Sequence, residues 1–287
     1  MSAPTVSPGF TAPAAMQPEI FAKLSGFIHE QCGIRMPASK QVMLEARLGK
    51  RLKQLGLKDY AAYWAHLSGP DGAYELPQLL DAVTTNKTDF FREARHFEYL
   101  VNECLPTLRR SIEFSADRPL MLWSAACSSG EEPYTLAMVL DDYARRNPGF
   151  EFMILATDIS NRVLEMGRRA VYAEERILPV AAAFRQRYLL RSKTGNGLVR
   201  ICPELRARVR FRRLNFMAGD FGLRERMDVI FCRNVLIYFD HATQEQVINR
   251  LCQHLAPGGY LFTGHSESTN GMRVPLKTVA NTVSRRV

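Results

Sequence analysis

The sequence predicts a small all-α domain followed by a Rossmann-like α/β domain, a parallel sheet with helices between its strands and a small β insert. Three observations carry this. From about Pro119, short apolar runs alternate with helical stretches: LMLWSAAC, PYTLAMVLDDYARR, FEFMILATD and NRVLEMGRRAVY. Such alternation marks parallel β–α units. A turn of small residues, Cys127–Gly130, separates the first strand from its helix, and Asp158 ends the second strand 28 residues after Gly130. Ahead of these units, residues 19–115 read as helical.

Each element has its own signal. Residues 1–18, rich in Pro, Ala, Ser and Thr, are expected to be a disordered lead-in. Residues 19–115 form the helical domain and 116–287 the α/β domain. Pro18-Glu19 opens a helix with Ile20, Phe21, Leu24, Phe27 and Ile28 at helical spacing, broken by Gly33 and Pro37. Ser39 is placed to cap the next helix, QVMLEARLGKRLKQL, which stops at Gly56. Leu44, Leu48, Leu52 and Leu55 make its apolar side. Lys40, Arg47, Lys50 and Arg51 share a face roughly 100° wide away from the leucines. That stripe is open to two readings, a solvated face or a contact for an acidic partner. Asp59–Leu67 and Tyr74–Thr84 are further helices, parted by the turn at 68–72. Later strands are VRFRRLNF (209–216), MDVIFCRN (227–234) and GYLFTGH (259–265), and QEQVINRLCQHL is an amphipathic helix ended by Pro-Gly-Gly. Residues 174–208 interrupt the alternation and are expected as helices followed by a small hairpin, an insert near 185–208 with its turn at Lys193–Gly197.

Composition narrows the class of function. Apolar content of 46% and charged content of 23% are ordinary for a globular chain. No apolar run reaches the ~20 residues of a membrane span, so no membrane insertion is expected. The N-terminus lacks the basic and apolar regions of a secretory signal. The six cysteines (32, 104, 127, 202, 232, 252) form no C-x-x-C pair. A reduced cytoplasm explains them better than disulfides or zinc, and no metal site is expected. Of the net charge of +9, residues 116–287 carry +8. That balance suits an acidic partner and equally a plain solvated surface.

Strand, small-residue turn, helix, strand and acidic end together can hold an adenosine. The turn lets backbone approach the ligand, and the Asp158 carboxylate can take two ribose hydroxyls. The glycine pattern is not G-x-G-x-x-G, and a dinucleotide needs that cradle for its pyrophosphate. Glu131 and Glu132 open the helix instead, where they repel phosphate and tolerate a cation. S-adenosylmethionine, with a sulfonium and an ammonium and no phosphate, fits this pattern better than NAD.

Five segments in one order resemble the chemotaxis receptor methyltransferases of the CheR family: TTNKTDFFRE (84–93), LWSAACSSGEEPYTLAM (122–138), ATDIS (156–160), IFCRNVLIYFD (230–240) and GGYLFTGHSES (258–268). The likeness runs from about residue 19 to near the end. It implies an S-adenosylmethionine-dependent methyltransferase fold and transfer of methyl groups to glutamate side chains on chemoreceptor signalling helices. The partners it implies are the cytoplasmic domains of methyl-accepting chemoreceptors, with no nucleic acid.

The resemblance also assigns residues. It places Arg92 at the active site, near the methyl donor and the incoming glutamate; otherwise Arg92 is a helix-surface partner of Asp89 or Glu93. Asn86 and Thr88 match cofactor-contacting positions and could be ordinary turn residues. Glu132 matches the contact to the donor's ammonium, while Glu131 is expected to cap the helix start. Asn215 and Phe216 sit where a strand ends and can flank adenine, with Phe216 as plain core the competing reading. Arg233 and Asn234 can line the donor pocket. Tyr238 can point its hydroxyl at the transferred methyl or the carboxylate, or be a hydrogen-bonded core tyrosine. His265 and Ser266 are expected only to support a loop. Arginines 200, 206, 208, 210, 212 and 213 open an alternative, an RNA methyltransferase using strand-face phosphate contacts, although no aromatics for base stacking are interleaved. A binding module without transfer is the third possibility.

Overall fold

A computed structural model describes residues 15–287 and divides the chain into two compact units, with the boundary between Thr85 and Asn86. The lead-in expected for 1–18 falls largely on residues 1–14, outside the described residues. Met16 is buried, and its N–H donates to Glu45 Oε1 at 2.8 Å.

The first unit holds α1 (Pro18–Cys32), α2 (Gln41–Leu55), α3 (Tyr60–Leu67) and α4 (Gly72–Val83). Leu24, Ile28, Leu44, Leu48 and Leu52, which helical spacing puts inside, fill its core together with Tyr63 and Leu79. α1 and α2 stop at Gly33 and Gly56, as expected. Ser39 is not the cap of α2. A 3-10 turn over Ala38–Lys40 already surrounds it, and Lys40 takes the cap position with no side-chain bond.

The basic stripe is only half a free surface. Arg51 grips Glu75 with two bonds of 2.7 and 2.6 Å, and Glu75 is 2% exposed and also receives the Tyr63 hydroxyl. Arg47 donates to the carbonyls of Val83 and Thr84 and to Thr85 Oγ1. Helical spacing set the angle of these arginines but not that α4 lies beside them. Lys40 and Lys50 are exposed.

The second unit opens with α5 (Arg95–Tyr99), which continues through a π-wound stretch, Leu100–Cys104, into α6 (Leu105–Arg109). Then come β1 (Leu120–Ala125), α7 (Glu131–Arg146), β2 (Phe152–Asp158), α8 (Asn161–Arg169), β3 (Val171–Ala173), α9 (Ala182–Tyr188), β4 (Leu189–Arg191), β5 (Leu198–Ile201), α10 (Pro203–Ala207), β6 (Val209–Arg213), β7 (Met227–Cys232), α11 (His241–His254), β8 (Leu255–Thr263), β9 (Leu276–Ala280) and β10 (Val283–Arg286). The main sheet runs β6-β2-β1-β7-β8-β10-β9. The first five strands are parallel, and β10 and β9 close the edge antiparallel. β1 lies in the interior of the sheet, and the loops after β1, β2, β6 and β7 gather at one end of it. That end is where open α/β sheets bind ligands.

The division falls earlier than residues 115/116. Phe97, Leu100, Leu105 and Leu108 belong to the same apolar core as Leu120, Leu122, Phe231 and Phe262, and Phe97 stacks on Phe231 at 5.9 Å. The sequence reading took 19–115 as helical as a whole; it could not show which core residues 95–109 serve. The insert also differs. It is a three-stranded antiparallel sheet, β3-β5-β4, whose first strand comes from Val171–Ala173, the tail of a stretch expected to be helical. β9 and β10 have no counterpart in the sequence reading, because LKTVA and VSRR are only five and four residues long.

Candidate active site

The turn after β1 is built from unusual backbone. Ala126, Ser128 and Gly130 have φ of 64°, 49° and 100°. Left-handed conformations at non-glycine residues are strained and persist where surrounding contacts impose them. At Gly130 a Cβ would lie 2.7 Å from the Tyr172 hydroxyl and 3.0 Å from the Gly167 Cα, so only glycine fits. Asp158 pins the turn: its Oδ2 accepts the Ser128 N–H at 2.9 Å and its Oδ1 the Ser160 N–H at 3.0 Å. Ser128 Oγ donates to the Asn86 carbonyl at 2.9 Å, which brings Asn86 to the same turn. Helix α8 is capped by Ser160, not by Asp158.

A charge cluster lies beside it. Arg233, 5% exposed, donates to Glu93 Oε2 at 3.0 Å, to Glu132 Oε2 at 3.3 Å and to the Arg92 carbonyl at 2.5 Å. Glu132 also accepts the Ser124 hydroxyl at 2.7 Å, and Glu93 Oε1 accepts Asn234 Nδ2 at 3.0 Å. Burial raises the Glu132 carboxyl above its ordinary range, an effect that Arg233 and Ser124 only partly offset. At Glu93 burial pushes up as well, but the Asn234 amide and the Arg233 guanidinium outweigh it and the group ends lowered. Burial, then Arg233, holds the His96 imidazole down to about 4. Glu131 does not cap the helix backbone. It is buried and ion-paired with Arg176, with Ser129 Oγ donating to it at 2.7 Å. Arg176 also donates to the Thr88 carbonyl at 2.7 Å, which fixes that segment.

The loop after β7 is held by a buried anion. Glu267 receives the backbone N–H groups of Gly264 (2.6 Å), Leu236 (2.7 Å), Asn234 (2.8 Å) and Ile237 (3.3 Å). It thereby fixes Asn234 at φ 57° and the 3-10 turn Leu236–Tyr238. Tyr238 is half-buried, and its hydroxyl makes no hydrogen bond among the described residues, unlike a satisfied core tyrosine. Phe216 is buried against Phe221 and Phe239. Asn215, half-buried, turns its side chain back to the Met217 N–H at 3.0 Å. Arg92 does not pair with Asp89 or Glu93, which bind Arg176 and Arg233 instead; its guanidinium donates to the Lys87 carbonyl at 3.1 Å and is half-exposed.

Arg92, Glu132, Arg233 and Asn234 thus gather in one network, and Asn86 and Asp158 meet through Ser128. Among the described residues, the side chains of Thr88, Phe216 and Tyr238 make no direct bond to either set. The sequence reading missed Glu93 as a partner of Arg233 and Asn234, Ser128 as the link, and Glu267 as the anchor. Glu93 and Glu267 do stand in the motifs FFRE and GHSES; nothing local marks which cation or amide each one meets.

A mostly parallel Rossmann-like sheet, a strained turn pinned by a strand-end aspartate and a helix opened by glutamates define an S-adenosylmethionine-dependent methyltransferase. Residues 86–284 match the CheR methyltransferase SAM-binding domain, and residues 19–84 match the CheR methyltransferase all-alpha domain. The chain belongs to the CheR methyltransferase family. A chemotaxis protein methyltransferase of Borreliella burgdorferi is 38% identical over 251 residues, covering 87% of this chain and 88% of its own. That of Escherichia coli K12 is 40% identical over 250 residues, covering 86% and 84%. Chemotaxis protein methyltransferase 2 of Pseudomonas aeruginosa is 37% identical over 267 residues, covering 92% of each.

Proposed function

We propose that the chain transfers the methyl group of S-adenosylmethionine to glutamate carboxylates on the cytoplasmic signalling helices of chemoreceptors, in the cytoplasm. The observation that carries this is the pairing of the Asp158-pinned turn with the Arg233 network in a chain of the CheR family. A carboxylate oxygen attacks the methyl carbon, an O–C bond forms, and the S–C electron pair returns to sulfur as a neutral thioether. A glutamate of ordinary pKa, about 4.3, is ionised at neutral pH, so no base is required. The protein aligns nucleophile, methyl and leaving sulfur and excludes water. Asp158 holds the ribose, Glu132 the donor's ammonium, and Asn86 and Thr88 the near wall. Asn215 and Phe216 flank adenine; Arg233 and Asn234 line the donor pocket. Arg92 and Tyr238 face the reacting groups.

The test is a transfer assay with labelled donor and chemoreceptor cytoplasmic fragments. Base-labile counts in the receptor are expected; counts absent from receptor but present in RNA would overturn the assignment. Several arginines of the RNA alternative already have partners within the protein. Arg208 pairs with Glu151, Arg212 donates to the Gly222 carbonyl and Arg213 to that of Ile159. No helix of the described residues is long and apolar enough to cross a membrane.

Arg92→Ala is expected to lower the turnover rate at saturating donor by tenfold or more, about 1.4 kcal/mol per factor of ten, with donor affinity changed less. A near-normal rate in that assay returns Arg92 to the surface. A second expectation concerns receptor recognition. Exposed charge pairs contribute about 0–1 kcal/mol each, and they act mainly on encounter. Reversing Lys40 and Lys50 to glutamate should raise KM for receptor a few-fold at low salt and flatten its salt dependence. Arg47 and Arg51 are unsuitable for this test, because reversing them breaks the helical unit itself. Unchanged KM at low salt would place recognition elsewhere.

A further inference from the structure

Three side chains from separate segments converge beside the charge cluster: Glu93 before α5, His96 on α5 and His265 in the turn after β8. One donor atom from each lies within 4.8 Å of the other two. His96 Nδ1 is 3.5 Å from Glu93 Oε2, and His265 Nε2 is 3.9 Å from the same oxygen. The His96 side chain is 4% exposed, and its Nδ1 has no hydrogen-bond partner.

The Thr282 hydroxyl can donate to the Asn281 carbonyl at 2.7 Å and so accept from His96 Nε2 at 2.8 Å. In that arrangement His96 carries hydrogen on Nε2 and a lone pair on Nδ1. That lone pair faces a carboxylate oxygen in a buried place. Two acceptors facing each other repel; a cation between them turns the repulsion into coordination.

We propose that Glu93, His96 and His265 bind a divalent transition ion of the zinc, cobalt or nickel kind. Metal–nitrogen and metal–oxygen bonds of about 2.1 Å at a tetrahedral centre put neighbouring donors about 3.4 Å apart, near the 3.5 and 3.9 Å between the carboxylate oxygen and the two imidazole nitrogens. Two imidazoles and one carboxylate select a borderline ion over magnesium or calcium. The outer partners needed to orient such donors are present: Thr282 on His96 Nε2 and Asn234 on Glu93 Oε1. An open groove of about 430 Å³, lined by Arg95, His96, Tyr99, His265 and Asn281 among others, gives the ion a way in and water a fourth position. The Arg233 guanidinium on the same carboxylate oxygen weakens binding, so the site is an exchangeable one. Occupancy ties the residue after Arg92 to the turn after β8.

Chelator-stripped full-length protein is titrated with Co²⁺, followed by visible absorption and calorimetry and then by displacement with Zn²⁺. One equivalent of cobalt with visible d–d bands is expected. His265→Ala, which alters a half-exposed side chain, should weaken uptake at least tenfold; His241→Ala, at an exposed position in α11, should not. The proposal is overturned by absence of stoichiometric uptake, by equal uptake in His265→Ala, or by intense near-ultraviolet sulfur-to-cobalt bands. The last would place the ion on one of the six cysteines. None of these readings uses methyl transfer, so the outcome is separate from that of the transfer assay.

Discussion

Arg233→Met is expected to destabilise the second unit more than any other single change at the site. The guanidinium is nearly inaccessible, and it neutralises Glu93 and Glu132 together while bonding the Arg92 carbonyl. Removing one partner of a buried ion pair costs about 3–5 kcal/mol, because the remaining charge stays buried. For a unit of this size that corresponds to a melting-temperature loss of roughly 6–20 °C. The pH dependence has a sign. Without Arg233, the Glu132 carboxyl, already raised by burial, lies further above its unfolded value. The folded state then binds more protons than the unfolded state, so stability falls as pH rises through the carboxylate range. The deficit of the variant should be largest near neutral pH and shrink as the pH is lowered toward about 5. Calorimetric melting at several pH values measures this. A melting temperature equal to wild type at neutral pH would show that the two glutamates do not depend on Arg233.

Asp158→Ala should have the largest effect on cofactor affinity. Two charge-assisted bonds to ribose hydroxyls, at roughly 1.5–3 kcal/mol each before compensation, give a loss of about tenfold to several hundredfold in the affinity for S-adenosylhomocysteine. The structure adds a second consequence, since Asp158 also holds the Ser128 and Ser160 N–H groups. Asp158→Asn keeps the shape and one acceptor oxygen, so it should fall between wild type and alanine. Titration calorimetry on folded variants decides it; an unchanged dissociation constant in Asp158→Ala would remove Asp158 from the ribose site.

The motifs make much of the candidate site legible in the sequence. CSSGEE, ATD and CRN lie at the ends of β1, β2 and β7, and the strand–helix alternation places those ends together. Roles that depend on a distant partner were not legible. Glu267 is one polar residue in GHSES until four amides from two loops close on it. Arg47 and Arg51 read as surface until α4 lies beside them.

The sequence by itself determined the α/β alternation, the helical first unit, the small-residue turn after β1 and the aspartate that ends β2. Those features rest on local periodicity and on residue types that act within a few positions of themselves. Tertiary structure alone decided which core the 95–109 helix joins, that Val171–Ala173 pairs as a strand, and that Glu93 faces Arg233, His96 and His265. These outcomes depend on partners from remote segments, such as the 140 positions between Glu93 and Arg233. A burial preference or a charge states that a partner is needed; only the packed chain supplies which one.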